Sequence, residues 1–221
     1  MSDVKERRTK ILELPKIIFY SDESIYIKDV RASYPHLDKP WSMDDTGDKK
    51  YSIMGLIPKT PEYADSVQAL FTHMADYLKE RKLQPLPPAR LCLRDGDLTA
   101  KAEMAGHWTI SASEKEPPIL RGRYIDARTG QLEVIPPEDA AKVYYGGCWV
   151  NLLVRLWFQN HPTGGRRINA NLRAVQFVRN DTAFGGRGRI TADDVDDTFE
   201  PIADDDGGFD KAGSEVASYD L

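Results

Sequence analysis

Along residues 143–158 the chain reads VYYGGCWVNLLVRLWF, and its apolar side chains fall on alternate positions. Tyr144, Gly146, Cys148, Val150, Leu152, Val154, Leu156 and Phe158 form one nearly unbroken apolar row, the pattern of a strand's core face. The other row (Val143, Tyr145, Gly147, Trp149, Asn151, Leu153, Arg155, Trp157) is aromatic and polar. At about 3.3 Å per residue such a strand would span roughly 50 Å, far beyond the ordinary length. Gly146–Gly147 is therefore expected to bulge or bend it, so that one strand serves both sheets of a small barrel. Flat rings at alternate positions with a guanidinium among them suit stacking on nucleic-acid bases. A sandwich that covers both faces would make the same tryptophans core, and this stretch alone leaves both open.

Shorter alternating runs predict strands at 17–20, 24–34, 51–57, 89–94, 105–113, 119–125, 131–135 and 168–179. Pro35 and Pro40 are expected to break the second of these, and Pro58 to stop the third. DDTGDKK at 44–50, Asp95–Gly96–Asp97 and residues 127–130 read as turns, the Asp-Gly-Asp as a hairpin. One helix is predicted: Thr60 caps it, Pro61 starts it, and Val67, Leu70, Phe71, Met74 and Leu78 form its apolar stripe. LQPLPP then stops it. Many short strands, many turns and one inserted helix make the chain mainly β, a barrel or a sandwich.

Charge divides the chain. Residues 192–221 hold eleven Asp/Glu and one Lys, a net of −10, whereas residues 1–191 hold 29 Lys/Arg and 24 Asp/Glu, a net of +5. A basic body at 1–191 with an acidic tail at 192–221 suits a polyanion-binding domain carrying an interaction segment. The tail has too few apolar residues to offset the entropy of ordering and is expected to be disordered, with Phe199, Phe209, Tyr219 and Leu221 as hydrophobic handles. No run of about 18 apolar residues occurs, so no membrane span is expected. The N-terminus lacks the apolar stretch of a secretory signal. Cys92 and Cys148 sit in apolar runs, and the four histidines have no ligand spacing, so buried thiols and no metal or other cofactor are expected.

Arginine concentrates late in the body. Arg166, Arg167, Arg173, Arg179, Arg187 and Arg189 stand against the single acid Asp181, with Phe177 and Phe184 interleaved. Guanidinium groups pair with phosphates and stack on bases, so this edge is a candidate single-strand track. Arg173, Phe177, Arg179, Arg187 and Arg189 of this edge, with Tyr145, Trp149, Arg155 and Trp157 and with Arg121 and Arg123 of the 119–125 strand, make the expected nucleic-acid-binding set. The acid pairs Asp44/Asp45, Asp95/Asp97 and Asp193/Asp194 raise the alternative of a metal-dependent nuclease or repair enzyme. Each sits in a turn or in the tail, where Asp is expected for local reasons. No phosphate-loop or catalytic-triad motif is legible, so no catalysis is expected. A virion structural protein is the other alternative.

Five segments occur in order over residues 30–186: VRASYPHL, KKYSIMGLIPK, LRDGD, YYGGCWVNLLVR and LRAVQFVRNDTAFGG. Together they resemble a family of phage proteins described as single-stranded DNA-binding proteins. The resemblance implies an OB-fold-like barrel acting in DNA replication or recombination within the bacterial cytoplasm, as a monomer or homodimer. The acidic tail is similar to those through which bacterial and phage single-strand-binding proteins recruit partners and compete with DNA. Here Phe209 and the terminal Tyr219, Asp220 and Leu221 would dock a phage or host replication or recombination protein. This ending replaces the usual acidic run closed by Phe and leaves the partner open.

Overall fold

The computed structural model describes residues 8–42 and 47–185. Ten strands and two helices follow in order: β1 (Lys10–Leu14), β2 (Ile17–Tyr20), β3 (Ser24–Trp41), β4 (Lys50–Pro58), α1 (Pro61–Glu80), β5 (Leu93–Asp95), β6 (His107–Glu114), β7 (Ile119–Ile125), β8 (Leu132–Val134), α2 (Ala140–Val143), β9 (Trp149–His161) and β10 (Gly165–Arg179). β3 pairs with β4, β4 with β6, β6 with β10 in parallel, β10 with β9, and β9 back with β3. These five close a barrel, and the mainly β fold is OB-like. The β1–β2 hairpin extends from β3, and β7–β8 from β10.

The layers of the barrel can be followed through the register. Ile53 lies opposite Ala112, Ala112 opposite Ala170, and Ala170 opposite Leu156; all four are buried. One residue along each strand the side chains turn outward, because the strand period is two. His36, Ser52, Ser113, Asn171 and Arg155 make that outer layer. The even row of β9 points inward as the sequence predicts: Val150, Leu152 and Val154 are fully buried and Leu156 nearly so. α1 turns Val67, Leu70, Met74 and Leu78 into the same core. Burying Leu70 and Met74 stabilises the fold by roughly 1.5–3 kcal/mol each. Cys92 and Cys148 are buried, and burial pushes the Cys92 thiol up to about 12.

Several expected elements differ. The 143–158 run is not one strand. Residues Ala140–Val143 form a helical turn, Tyr145–Cys148 turns back on itself, and the strand begins at Trp149. Gly147 makes the change of direction at φ 114°, and a Cβ there would sit 2.3 Å from the Thr182 carbonyl oxygen. β3 is not broken at its prolines but runs on to Trp41. Pro35 and Pro40 fall where the β3–β4 register slips, between Ser33 and His36 and between His36 and Trp41, so the ladder needs no N–H from them. Residues Pro88–Arg90 form a 3₁₀ turn rather than strand. Asp95–Gly96–Asp97 opens another such turn instead of a tight hairpin, with the Asp97 amide donating to the Asp95 carboxylate.

Candidate nucleic-acid interface

The outer positions of β3, β4 and β6 are mostly small and uncharged. Ser33 faces Met54 and Met54 faces Ser111; His36 faces Ser52 and Ser52 faces Ser113. Ser111 is exposed, Ser52, Met54 and Ser113 are half-buried, and Ser33 is buried. Two aromatic rings from β3 border this floor. Trp41 is 44% exposed and lies flat on His36, with ring centroids 4.5 Å apart and planes 8° from parallel. Tyr34 is 49% exposed, at φ 46°, and its hydroxyl donates to Glu103 at 2.8 Å. The Lys101 ammonium stands 4.2 Å from the Tyr34 ring centroid. Lys50 is opposite Trp41 in register, and Lys39 and Lys49 are exposed around the same end of the face, as is Lys115, which pairs with Asp48 at 2.7 Å. Burial holds the His36 imidazole below its ordinary pKa, which favours the neutral ring under Trp41. Two exposed rings beside small side chains and several cations can stack bases and neutralise phosphates along one strand.

The residues expected from the sequence are placed differently. Tyr145, Trp149 and Arg179 come together, but as a cluster closed on itself. The Trp149 indole donates to Asp181 at 2.6 Å, and the Arg179 guanidinium lies 4.1 Å from the indole's centroid. The Tyr145 hydroxyl donates to the Asp181 carbonyl at 2.9 Å. Arg31 completes the latch: it donates to the Gly147 and Thr182 carbonyls and lies 4.5 Å from the Phe184 ring centroid. The hydrogen bond from Trp149, with Arg31 and Arg179 nearby, keeps the Asp181 carboxyl below the usual range. Residues 180–184 thus strap the outer side of β9 at this end. Beside the strap, Asn151 and Tyr26 both donate to Gln176, so this part of the outer face is occupied by its own hydrogen bonds.

Phe177, expected on the surface, packs edge-on against Tyr144 beside the core, because the slip at Arg173 changes the alternation of β10. Arg155 is ion-paired with Glu23, which also holds Arg81. Arg173 is exposed at the slip, and Trp157 is half-buried opposite Asn169. Arg121 is half-buried on β7, and the exposed Arg123 lies 4.7 Å from the Tyr124 ring centroid. Arg187, Arg189, Phe209, Tyr219, Asp220 and Leu221, like the 191/192 boundary, lie outside the described residues. Among the described residues no group of three or more His, Cys, Asp or Glu side chains is placed to hold a metal ion, and no helix is long and apolar enough to cross a membrane.

A family model described as the ssDNA-binding protein of Enterobacter phage Enc34 matches residues 23–207. The chain belongs to this family. The putative protein p50 of Acyrthosiphon pisum secondary endosymbiont phage 1 is 31% identical over 181 residues, covering 78% of this chain and 92% of its own length. The solved structure of the Enc34 single-stranded DNA-binding protein in complex with ssDNA is 32% identical, with a TM-score of 0.71, covering 81% of this chain and 99% of that one. A C-terminal truncation of the same phage protein gives 32% identity and a TM-score of 0.70, covering 81% and 98%. In this member of the Enc34 family, Trp41, Tyr34, Lys50, Lys101 and the serines of β4 and β6 are candidates that the sequence reading did not name. The available signal was the serines at alternate positions of YSIM and TISAS.

Proposed function

We propose that the protein binds single-stranded DNA largely without regard to sequence, as a non-catalytic coat protein of phage replication or recombination in the host cytoplasm. The observation that carries this is the Trp41–Tyr34 pair bordering the serine floor of an OB-like barrel. Trp41 and Tyr34 stack on bases, and the lysine fringe neutralises phosphates. Because every base offers a π-face, such a track is sequence-tolerant. A relative with 32% identity was solved in complex with ssDNA, which supports the same ligand here.

The acidic tail, net −10 beside a body of +5, supports a second role: competing with DNA for the basic face and docking a replication or recombination partner through Phe209, Tyr219, Asp220 and Leu221. The test is a fluorescence titration with oligo(dT) and with a matched duplex, full-length and lacking residues 192–221. The expected result is tighter binding to the single strand, weakening with salt, and a gain in affinity on truncation that is largest at low salt. A preference for duplex, or affinity indifferent to salt, overturns the track. Equal affinities of the two proteins across the salt series remove the competition. Cleavage of labelled DNA in Mg²⁺ would instead make the protein a nuclease.

A further inference from the structure

A second surface lies at the other end of β3 from Trp41, where the β1–β2 hairpin meets α1. A groove of about 510 Å³ opens there. Its apolar lining includes Leu12, Phe19 and Ala69. Leu12 faces Phe19 across the hairpin and stays 44% exposed, and Ile11, where the register slips, is 71% exposed. Phe19 rests on His73 at 4.7 Å between ring centroids. The rim is acidic: Asp65, Asp76 and Glu80 from α1, and Glu23 from the β2–β3 turn. Glu23 is already engaged by Arg81 and Arg155. Neither Asp65 nor Asp76 has a cationic partner within 4.0 Å among the described residues, and both are exposed.

We propose that this groove docks a partner protein through a short extended segment in which an apolar residue is bracketed by two cations. The charge of the rim selects the occupant. Nucleic acid is repelled by it, and a basic segment is attracted. Asp65 and Asp76 are eleven residues apart on one face of α1, about 16 Å at the helical rise. In an extended segment, residues at i and i+4 lie on one side roughly 13 Å apart, and the lysine stems cover the remainder. The residue at i+2 shares that side, so it enters the Leu12–Phe19–Ala69 floor. β1 supports the same conformation: among the described residues it pairs with β2 alone, leaving its other edge able to hydrogen-bond an added strand. Since the groove and the Trp41 face lie at opposite ends of β3, the partner and DNA need not compete. The inference stands whether or not the Trp41 face binds DNA.

The test uses the full-length chain and a labelled peptide, Gly-Thr-Lys-Thr-Ile-Thr-Lys-Thr-Gly, read by fluorescence anisotropy at low salt. Controls replace both lysines by glutamate or the isoleucine by serine. Saturable binding of the Lys–Ile–Lys peptide alone is expected. Asp65→Asn with Asp76→Asn should weaken it by about tenfold, from two exposed ion pairs, with oligo(dT) affinity and melting temperature unchanged. Asp65→Lys with Asp76→Lys should shift the preference to the glutamate peptide, and Leu12→Ser should weaken the lysine peptide without reversing that preference. Absence of saturable binding up to about 1 mM, a concentration at which even a weak site is half filled, overturns the proposal. So does equal binding of the lysine and glutamate peptides, or an Asn double variant that binds like the parent.

Discussion

Replacing Trp41 by alanine separates the two surfaces on which bases could stack. The ring is 44% exposed and its one defined aromatic neighbour is His36, so its removal opens little core. The folded state should lose the offset-stacking term, about 0.5–1.5 kcal/mol, together with the transfer free energy of the covered part of the ring. Binding should lose far more in relative terms. One base–aromatic stack is worth about 1–3 kcal/mol, a rise in Kd of roughly five- to 150-fold. Trp41→Phe should keep most of the affinity, because a flat ring remains. Trp149→Ala should behave in the opposite way. Its indole bonds Asp181 and packs against Arg179, so truncation detaches the 180–184 strap and costs about 2–3 kcal/mol of stability with little change in affinity. The assay is anisotropy of labelled oligo(dT) at fixed salt, paired with urea unfolding of each variant. If Trp41→Ala binds like the parent while Trp149→Ala, still folded, loses affinity, the outer side of β9 is the interface and the β3–β4–β6 face is not.

Lys101→Ala should lower the slope of log affinity against log salt by about 0.7, the loss of one phosphate contact on a single strand; an unchanged slope places Lys101 off the track. Gly147→Ala should destabilise the fold by roughly 1–3 kcal/mol in urea, because an alanine at φ 114° is strained and its Cβ meets the Thr182 carbonyl; parental stability would mean the strap does not pack there. Burial holds the His73 imidazole below its ordinary pKa of 6.5, against the opposing pull of Glu80, Asp76 and Glu23. The unfolded chain therefore takes up this proton first, and stability should fall as pH drops below about 6.5 and level off below the folded-state value. His36 is lowered by burial too, so His73→Phe should reduce the slope of that part of the stability–pH curve without abolishing it, and an unaltered curve would show that His73 is not a source.

Periodicity made much of the barrel legible. The even row of β9 and the stripe of α1 are local patterns imposed by a buried core, and β7 keeps its expected bounds, whereas β1 and α2 are not among the expected elements. What failed was long-range. Pro35 and Pro40 look like strand breakers until β4 is seen to slip register opposite each of them. The aromatic run before Trp149 looks like more strand until Gly147 is seen to turn the chain beneath Thr182. For the prolines the next strand decides; for the aromatic run the bend expected at Gly146–Gly147 ends the strand outright, against Thr182 beyond β10.

The site shows the same division more sharply. Alternation assigns Trp149 and Tyr145 to the outer side of the barrel, but it cannot tell whether an outer side meets solvent. Here it meets Asp181, thirty-two residues after Trp149. Tryptophan and arginine at alternate positions are equally the means by which a fold fastens a strap to itself, since an indole N–H and a guanidinium need buried or half-buried acceptors as readily as a base or phosphate. The more discriminating signal is the reverse one. In a chain that is 29% charged, the outward positions of β4 and β6 past Lys50 include Ser52, Met54, Ser111 and Ser113, none of them charged. Solvation alone would favour long charged side chains on an exposed barrel face. A row of mostly small, uncharged ones bordered by Trp41 and Tyr34 is what carries the proposal that bases lie against this face.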